Sequence, residues 1–208
     1  MKRTIGLTTL LFLLPLTASA EALFDKPVQA GFHVAPQVKL SQANGEFAVL
    51  LGGEGMLLAN GEWGLGFGVY GLVTRHETAN ANPDSVRRLS LGYGGLKIGY
   101  YATPDYLVHL TFGTLIGLGG ARVGTKDWEM SDGHLEEDRK WEGDPVFVFE
   151  PEVGAELNIL ENLHLNISAS YRLVAGFDSR FGITSSDYCG PAATFGIKFG
   201  RMSGPKAN

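Results

Sequence analysis

The residues with the clearest capacity for chemistry are ionisable side chains spaced evenly within apolar segments. Between positions 146 and 159, Glu150, Glu152 and Glu156 alternate with a row of apolar residues. Alternation with period two places the two sets on opposite faces of a β-strand. Applied to the other segments, the same reasoning assigns four cationic and four anionic residues to one shared polar interior: Lys39, Glu54, Lys97, Glu150, Glu152, Glu156, Arg172 and Lys198.

Two kinds of site fit this balanced set of charges. One is an ion network that stabilises the interior, since an isolated buried ion is costly; the other is a polar path for ions or small solutes. Counting outward from the turn at Glu161-Asn162 places Arg172 opposite Glu150 and Glu152. We therefore predict that Arg172 contacts one or both carboxylates, and that Arg172→Met destabilises the protein by leaving them unpaired.

Residues suited to catalysis are sparse. His76 with Ser85, and His134 with Asp132, come nearest to a catalytic constellation, but Ser and His are common enough for such pairs to arise by chance. The glycine-rich run 117–120 is followed by neither a helix nor a Lys-Ser/Thr pair, so it does not resemble a phosphate loop. No catalytic, metal-binding or cofactor-binding residue is predicted, and no cofactor is expected.

Positions 1–20 form a segment distinct from the domain at 21–208. Lys2 and Arg3 precede an uncharged apolar run over 5–16, and Ala18-Ser19-Ala20 is a small-residue cleavage site. This order is that of a cleaved secretory signal peptide. The run is also too short to span about 30 Å of hydrocarbon comfortably, which disfavours an anchor helix.

The composition of the remaining chain limits its class further. Removal of Lys2 and Arg3 takes the formal charge from −5 to −7, and an acidic chain does not suit nucleic acid. Cys189 is the single cysteine, so no internal disulfide can form. No apolar run after residue 21 reaches the ~20 residues of a membrane helix.

Eight segments of the chain alternate in period two, which predicts an all-β fold: an eight-stranded antiparallel up-and-down transmembrane β-barrel. The predicted strands are 31–41, 47–58, 63–75, 88–102, 107–123, 146–159, 163–177 and 188–201. In the fourth predicted strand, Leu89 and Leu91 occupy odd-numbered positions, whereas Leu96 and Ile98 occupy even-numbered positions and would face the opposite side. A β-bulge at Gly94-Gly95 would return all of them to one surface, and we predict one there.

The predicted connections alternate in length. Tight turns are expected at Asn60-Gly61, Pro104-Asp105 and Glu161-Asn162, and longer links at 42–46, 76–85, 124–145 and 178–187. Short turns at one end and longer loops at the other follow the plan of outer-membrane barrels, and an even strand count returns both termini to the periplasmic end.

The choice between a soluble and a transmembrane barrel depends on which face is apolar. The polar face is rich in Gly, Ser, Thr and Ala with isolated charges, as a narrow eight-stranded interior requires. The apolar face carries large side chains over about 10 residues per strand, the length needed to cross a bilayer at a tilt. Charged side chains facing hydrocarbon would each cost several kcal/mol, roughly 2 or more, so the carboxylates are assigned to the interior.

On these features the chain resembles the small outer-membrane β-barrel superfamily, the eight-stranded porin-like proteins of Gram-negative bacteria. The resemblance implies a cell outer-membrane protein, a monomer, in contact with outer-membrane lipid, lipopolysaccharide and the outer-membrane assembly machinery. It also implies a structural, adhesion or interaction role without catalysis; the alternatives are a narrow channel or small-ligand-binding barrel, and a lipid-modifying rim enzyme. One difference is that residues 200–208 follow Phe199, where family members commonly end in an aromatic residue.

The acidic segment 124–145 is the candidate interaction loop of this barrel. Its carboxylates are suitable ligands for hard cations, although their spacing is not that of a calcium loop. A contact surface for a divalent cation, for lipopolysaccharide bridged by such cations, or for a protein partner is one interpretation, and a solvated loop is the other. The residues concerned are Trp128, Asp132, His134, Glu136, Glu137, Asp138 and Trp141.

Overall fold

The computed structural model describes residues 28–74, 77–79, 85–131, 134–177 and 184–201. The proposed signal peptide, His76 and Asp132 therefore lie outside the described residues. The strands are β1 Ala30–Ala43, β2 Glu46–Ala59, β3 Trp63–Leu72, β4 Glu77–Ala79, β5 Ser85–Tyr101, β6 Val108–Ser131, β7 His134–Leu160, β8 Leu163–Ala175 and β9 Gly190–Arg201, with a short 3₁₀ helix at Ser185–Tyr188.

Eight of these strands close into an antiparallel barrel. Each strand pairs with its neighbours in chain order, and β1 pairs with β9 to close the ring. The short β4 pairs with β5 beyond the end of β3, so it is not a ninth strand of the barrel wall. The predicted fold class is confirmed. Within the described ranges, no helix is long and apolar enough to cross a membrane.

Two tight turns show why the chain reverses where it does. Asn60 and Gly61 have φ values of 56° and 73°, the left-handed conformation that two-residue hairpin turns require and that Asn-Gly supplies most readily. Asn44 and Gly45, with φ of 52° and 75°, do the same between β1 and β2. The link at 42–46 is therefore a tight turn, and its prediction as a longer connection is wrong.

The predicted bulge at Gly94-Gly95 is absent. The ladders from β5 to β3 and to β6 run through both glycines without a register shift. Consequently Leu89, Leu91 and Tyr93 share the inner face with Lys97, and each of these four side chains is at most 5% exposed. The prediction failed because it assumed that every large apolar residue faces outward.

The described residues of the segment 124–145 form the two paired strands of a β-hairpin and not a loop. The β6–β7 ladder continues in one register from Val108↔Leu157 to Ser131↔His134, so the two strands extend well past the end of β8. The end of the barrel that carries this hairpin is called the hairpin end, and the end near Ala30 and Arg201 is called the terminal end.

The apolar face of the strands forms the outer wall. Phe147 and Val153 on β7 are 46% and 48% exposed, whereas Glu150 and Glu156 on the same strand are 1% and 0% exposed. The same division holds around the ring, where the exposed outer side chains include Phe32, Val38, Leu57, Phe67, Leu118, Ile167 and Phe195. The predicted assignment of apolar residues to the exterior and charged residues to the interior is confirmed on β7, whereas Leu89, Leu91 and Tyr93 on β5 are exceptions that lie inside.

Candidate functional site

The barrel interior nearest its middle holds a buried ion pair. Lys39 on β1 donates from Nζ to Glu150 Oε1 on β7 at 2.7 Å, and both side chains are 1% exposed. The Tyr93 hydroxyl donates to Glu150 Oε2 at 2.7 Å and the Ser170 hydroxyl to Glu150 Oε1 at 2.7 Å. Lys39 Nζ also lies 3.6 Å from the centre of the Tyr70 ring. Donors from three other strands therefore satisfy this carboxylate.

A second group of charges lies towards the terminal end. Lys97 donates to Glu54, and its Nζ is 3.2 Å from Glu152 Oε1. His33 Nε2 is 3.2 Å from Glu54 Oε1. One lysine thus bridges two carboxylates from β2 and β7, as the predicted balance of charges requires.

A third group is centred on Glu156, which is fully buried. Lys198 donates to Glu156 Oε2 at 2.6 Å. On the other oxygen, Oε1, His109 Nε2 and His164 Nδ1 each approach to 3.8 Å. The Lys198 Nζ also lies 3.9 Å from Glu54, which joins the second and third groups into one network.

Seven of the eight predicted network residues therefore pair with one another, and the eighth, Arg172, does not. Arg172 donates from Nε to the Tyr188 carbonyl at 2.9 Å and from a terminal nitrogen to the Gln42 carbonyl at 3.0 Å. The register does place it beside Glu150, since Phe149 pairs with Leu173. Its long side chain turns towards the hairpin end instead, so the predicted contact with the carboxylates is wrong.

We expect Arg172→Met to lower the free energy of unfolding by about 2–3 kcal/mol, because two carbonyls lose a charged donor in a buried site. Ser41→Ala is the matched control, since it removes only the 3.3 Å contact between Arg172 and the Ser41 hydroxyl together with the bond from that hydroxyl to the Pro191 carbonyl, and it should cost about 1 kcal/mol. Urea unfolding of the folded barrel gives both values. Equal values for the two variants would contradict this role of Arg172.

Several interior residues were missed from the sequence: His33, His109, His164, Tyr70, Tyr93 and Tyr101. All but Tyr70 occupy the same parity as a charged or polar residue on their own strand, and this signal could have identified them; Tyr70 shares its parity on β3 with Gly64, Gly66 and Gly68. The three tyrosines lie against lysines or carboxylates; Tyr101, for example, has Lys198 Nζ at 4.7 Å from its ring centre. The histidines are at most 3% exposed.

The hairpin end of the lumen is filled by apolar side chains. Tyr188, on the 3₁₀ helix, is 0% exposed and packs edge-on against Phe177, with ring centres 5.2 Å apart. Its hydroxyl donates to the Arg122 carbonyl at 3.0 Å. The cluster around it contains Leu50, Tyr70, Leu89, Leu91, Tyr93, Leu115, Ala121, Val146, Val148, Val174 and Phe177.

Little space is left beside the charged groups that lie towards the terminal end. The cavity between Glu54, Lys97, Tyr101 and Lys198 measures about 10 Å³, roughly the volume that admits one water molecule. Glycines on the inner wall leave room for the filling: a Cβ at Gly68 would lie 3.0 Å from Leu115. Around these charged groups the described lumen is therefore closely packed with side chains.

The candidate interaction residues lie on the β6–β7 hairpin. Trp128 is on β6, and His134, Glu136, Glu137, Asp138 and Trp141 are on β7; Asp132 lies outside the described residues. For the catalytic pairs, Ser85 begins β5 and His134 begins β7, while their partners His76 and Asp132 are not described. Among the residues that the structure describes, no group of three or more His, Cys, Asp or Glu could hold a metal ion.

No protein-family model matches this chain, and no curated protein matches it in sequence. Among solved structures it is similar to a major outer membrane protein from Thermus thermophilus, with a TM-score of 0.58 and 11% identity over 82% of this chain and 99% of that chain. Weaker similarities are to Neisserial surface protein A (TM-score 0.47, 8% identity, 84% and 99% covered) and to the N-terminal barrel domain of Pseudomonas aeruginosa OprF (0.43, 11%, 84% and 99%).

At these identities the similarity concerns the fold. The closed eight-stranded antiparallel barrel with an apolar outer wall is the fold of the small outer-membrane β-barrels, and this chain has it.

Proposed function

We propose that this chain is an integral protein of the cell outer membrane whose lumen is closed. Its role is structural, adhesive or in binding at the cell surface, and it does not catalyse a reaction. The observation that carries the proposal is an apolar outer wall around a lumen whose carboxylates are paired internally. The hairpin end then faces the cell exterior, and the terminal end faces the periplasm.

The outer wall supports the membrane location. Leu57, Phe67 and Leu118 are 72%, 67% and 69% exposed, and they belong to a belt that passes around the ring. Exposed apolar patches of this extent are rare on monomeric soluble proteins. In a bilayer the same belt faces hydrocarbon, and the closed strand ladders satisfy the backbone donors and acceptors within the wall.

The interior supports a role outside transport. A small-ligand-binding barrel requires an internal cavity of several hundred Å³, whereas the cavity beside Glu54, Lys97 and Lys198 in the lumen measures about 10 Å³. The cluster of apolar side chains around Tyr188 covers the ion network at the hairpin end of the lumen. Contacts with other molecules are therefore assigned to the β6–β7 hairpin and the outer wall.

The proposed function includes export of the chain and its assembly into the outer membrane. The signal peptide at 1–20 is cleaved before Glu21, and the mature chain folds with both ends of the barrel sequence together at the terminal end, where Phe32 pairs with Arg201. The assembly machinery of the outer membrane inserts it as a monomer, and outer-membrane lipid and lipopolysaccharide surround it.

In planar bilayers, the purified mature barrel should give no discrete conductance steps, because its lumen is filled. An open porin reconstituted in the same bilayers is the positive control, and heat-shifted migration on gels verifies that the sample is folded. Discrete steps that change in size when Glu54→Gln or Glu152→Gln is introduced would contradict the closed lumen and favour a narrow channel.

A further inference from the structure

The part of the ion network at the terminal end holds more negative than positive charge. Its members are three carboxylates and two lysines: Glu54, Glu152, Glu156, Lys97 and Lys198. Arg172, the remaining cation assigned to the lumen from the sequence, binds backbone carbonyls towards the hairpin end instead. With neutral histidines, this buried group therefore has one uncompensated negative charge. Because such a charge is costly in a protein interior, the imbalance favours the binding of one further cation.

Glu156 has the oxygen at which that cation is missing. The residue is 0% exposed, and Lys198 donates to its Oε2 at 2.6 Å. Its Oε1 is buried and accepts no hydrogen bond from the part of the chain that the structure describes. A buried acceptor without a donor destabilises the folded state, so a cation that binds here is expected beside Oε1.

Two imidazole rings lie next to this oxygen, and one of them is already engaged. His109 Nε2 and His164 Nδ1 are each 3.8 Å from Glu156 Oε1. The Asn158 amide nitrogen donates to two carbonyls of the β5–β6 turn, which leaves its Oδ1 facing His164 Nδ1 at 2.6 Å. His164 Nδ1 therefore carries a hydrogen that it donates to Asn158.

His109 is the ring that is free to bring a proton to Glu156. His33 is engaged, because its Nε2 lies 3.2 Å from Glu54 Oε1 and must carry a hydrogen to donate to a carboxylate. Neither ring nitrogen of His109 has a hydrogen-bond partner within the described ranges. His109 and Glu156 also occupy directly opposed positions on β6 and β7, where side chains interact.

The surrounding charges limit the site to a single proton. The ionisable groups around the pair in this part of the lumen are His33 on β1, Glu54 on β2, Lys97 and Tyr101 on β5, Glu152 on β7, His164 on β8 and Lys198 on β9. The Tyr101 ring lies 6.4 Å from the His109 ring, centre to centre. One proton balances the buried charges, whereas a second would leave an excess of positive charge beside Lys198.

We propose that His109 and Glu156 form a proton-binding site at the terminal-end mouth of the lumen, which takes up one proton as the pH falls. Histidine is the side chain whose charge ordinarily changes between about pH 5 and 8. With the proton on His109 Nε2, Glu156 Oε1 gains a donor and the buried charges balance. In the orientation given under the proposed function, this mouth faces the periplasm, and the site responds to the pH of that compartment.

The test follows the histidine ring resonances of the folded mature barrel by NMR in zwitterionic micelles as the pH is varied, with His109→Gln used to assign His109. We expect Glu156→Gln to lower the midpoint of the His109 titration by about 1 pH unit or more, the effect of removing an opposite charge at this distance. Glu161→Gln is the matched control, since it removes the same charge from the exposed turn between β7 and β8 and should leave that midpoint unchanged.

An unchanged His109 midpoint in Glu156→Gln would overturn the proposal, and so would a shift confined to His164. If Glu156→Gln lacks the heat-shifted migration of a folded barrel, potentiometric titration of the wild type and His109→Gln decides: the wild type should take up one proton more over the histidine range, and equal uptake contradicts the site. Both measurements need only the folded barrel, so a negative result leaves the proposed function untouched. Failure of the wild type to insert into bilayers contradicts the proposed function and not the proton site.

Discussion

Replacing Lys39 with methionine should lower the free energy of unfolding by about 3–5 kcal/mol, because it leaves the Glu150 carboxylate charged and uncompensated in the lumen. The Lys39–Glu150 pair is 1% exposed on both sides and spans β1 and β7. The Tyr93 and Ser170 hydroxyls would still donate to the carboxylate, but neither carries charge. Urea titration of the barrel folded in phospholipid vesicles, followed by tryptophan fluorescence, measures the loss.

The double variant Lys39→Met with Glu150→Leu is the matched control. Removing both partners takes away the buried charge together with its counter-ion, and such replacements are commonly neutral or stabilising. The double variant should therefore be more stable than Lys39→Met alone. If it is less stable by the sum of two independent losses, Lys39 and Glu150 do not act as a pair and the assignment of the network is wrong.

The division into an outer and an inner face was predictable from alternation alone. A strand that separates lipid from a narrow lumen must present large apolar residues on one side and small or paired polar residues on the other. β7 shows this most clearly, since Phe147, Val153 and Glu150 lie on the sides that their parity assigns. The lumen charges followed because no carboxylate can face hydrocarbon without a large cost.

Hydropathy alone could not predict the apolar cluster around Tyr188, because it does not distinguish a lipid-facing leucine from one that fills a lumen. Leu89 and Leu91 are as apolar as Leu96, and only their parity relative to the buried Lys97 reveals that they face inward. The predicted bulge at Gly94-Gly95 would have reversed this parity, and it is absent from both ladders. An eight-stranded lumen requires filling along its whole length, and at the hairpin end apolar side chains supply it.

Side-chain reach explains the error at Arg172. Counting from the turn placed this residue beside Glu150, as the register confirms, but register fixes backbone positions only. The guanidinium extends several ångströms from its Cα and binds the carbonyls of Tyr188 and Gln42. The carbonyl of the 3₁₀ helix that competes for it could not be located from sequence.

The acidic composition of the segment 124–145 led to the prediction of a loop in place of a β-hairpin. A segment this rich in Asp and Glu is ordinarily a solvated loop, and its alternation involves charge sign more than hydropathy. The backbone pairing of β6 with β7, which continues to Ser131 and His134, shows two strands where the composition predicts a loop.

Placing an arginine at the centre of the outer wall should test the membrane assignment most directly. Val153 is the middle member of the outer row on β7 and is 48% exposed. In a bilayer, Val153→Arg should lower the free energy of unfolding by about 2–4 kcal/mol, the cost of a cation at the midplane of a transmembrane barrel. Urea titration in phospholipid vesicles provides the measurement.

Asn162→Arg makes the same change of charge in the exposed turn between β7 and β8, which the proposed orientation places at the periplasmic surface. There the cost should fall below about 1 kcal/mol, since it declines towards the interfaces. The difference between the two variants thus reports the depth of Val153 in hydrocarbon. A soluble barrel would expose both positions to water and tolerate both arginines, so equal stabilities would remove the physical basis for placing this protein in a membrane.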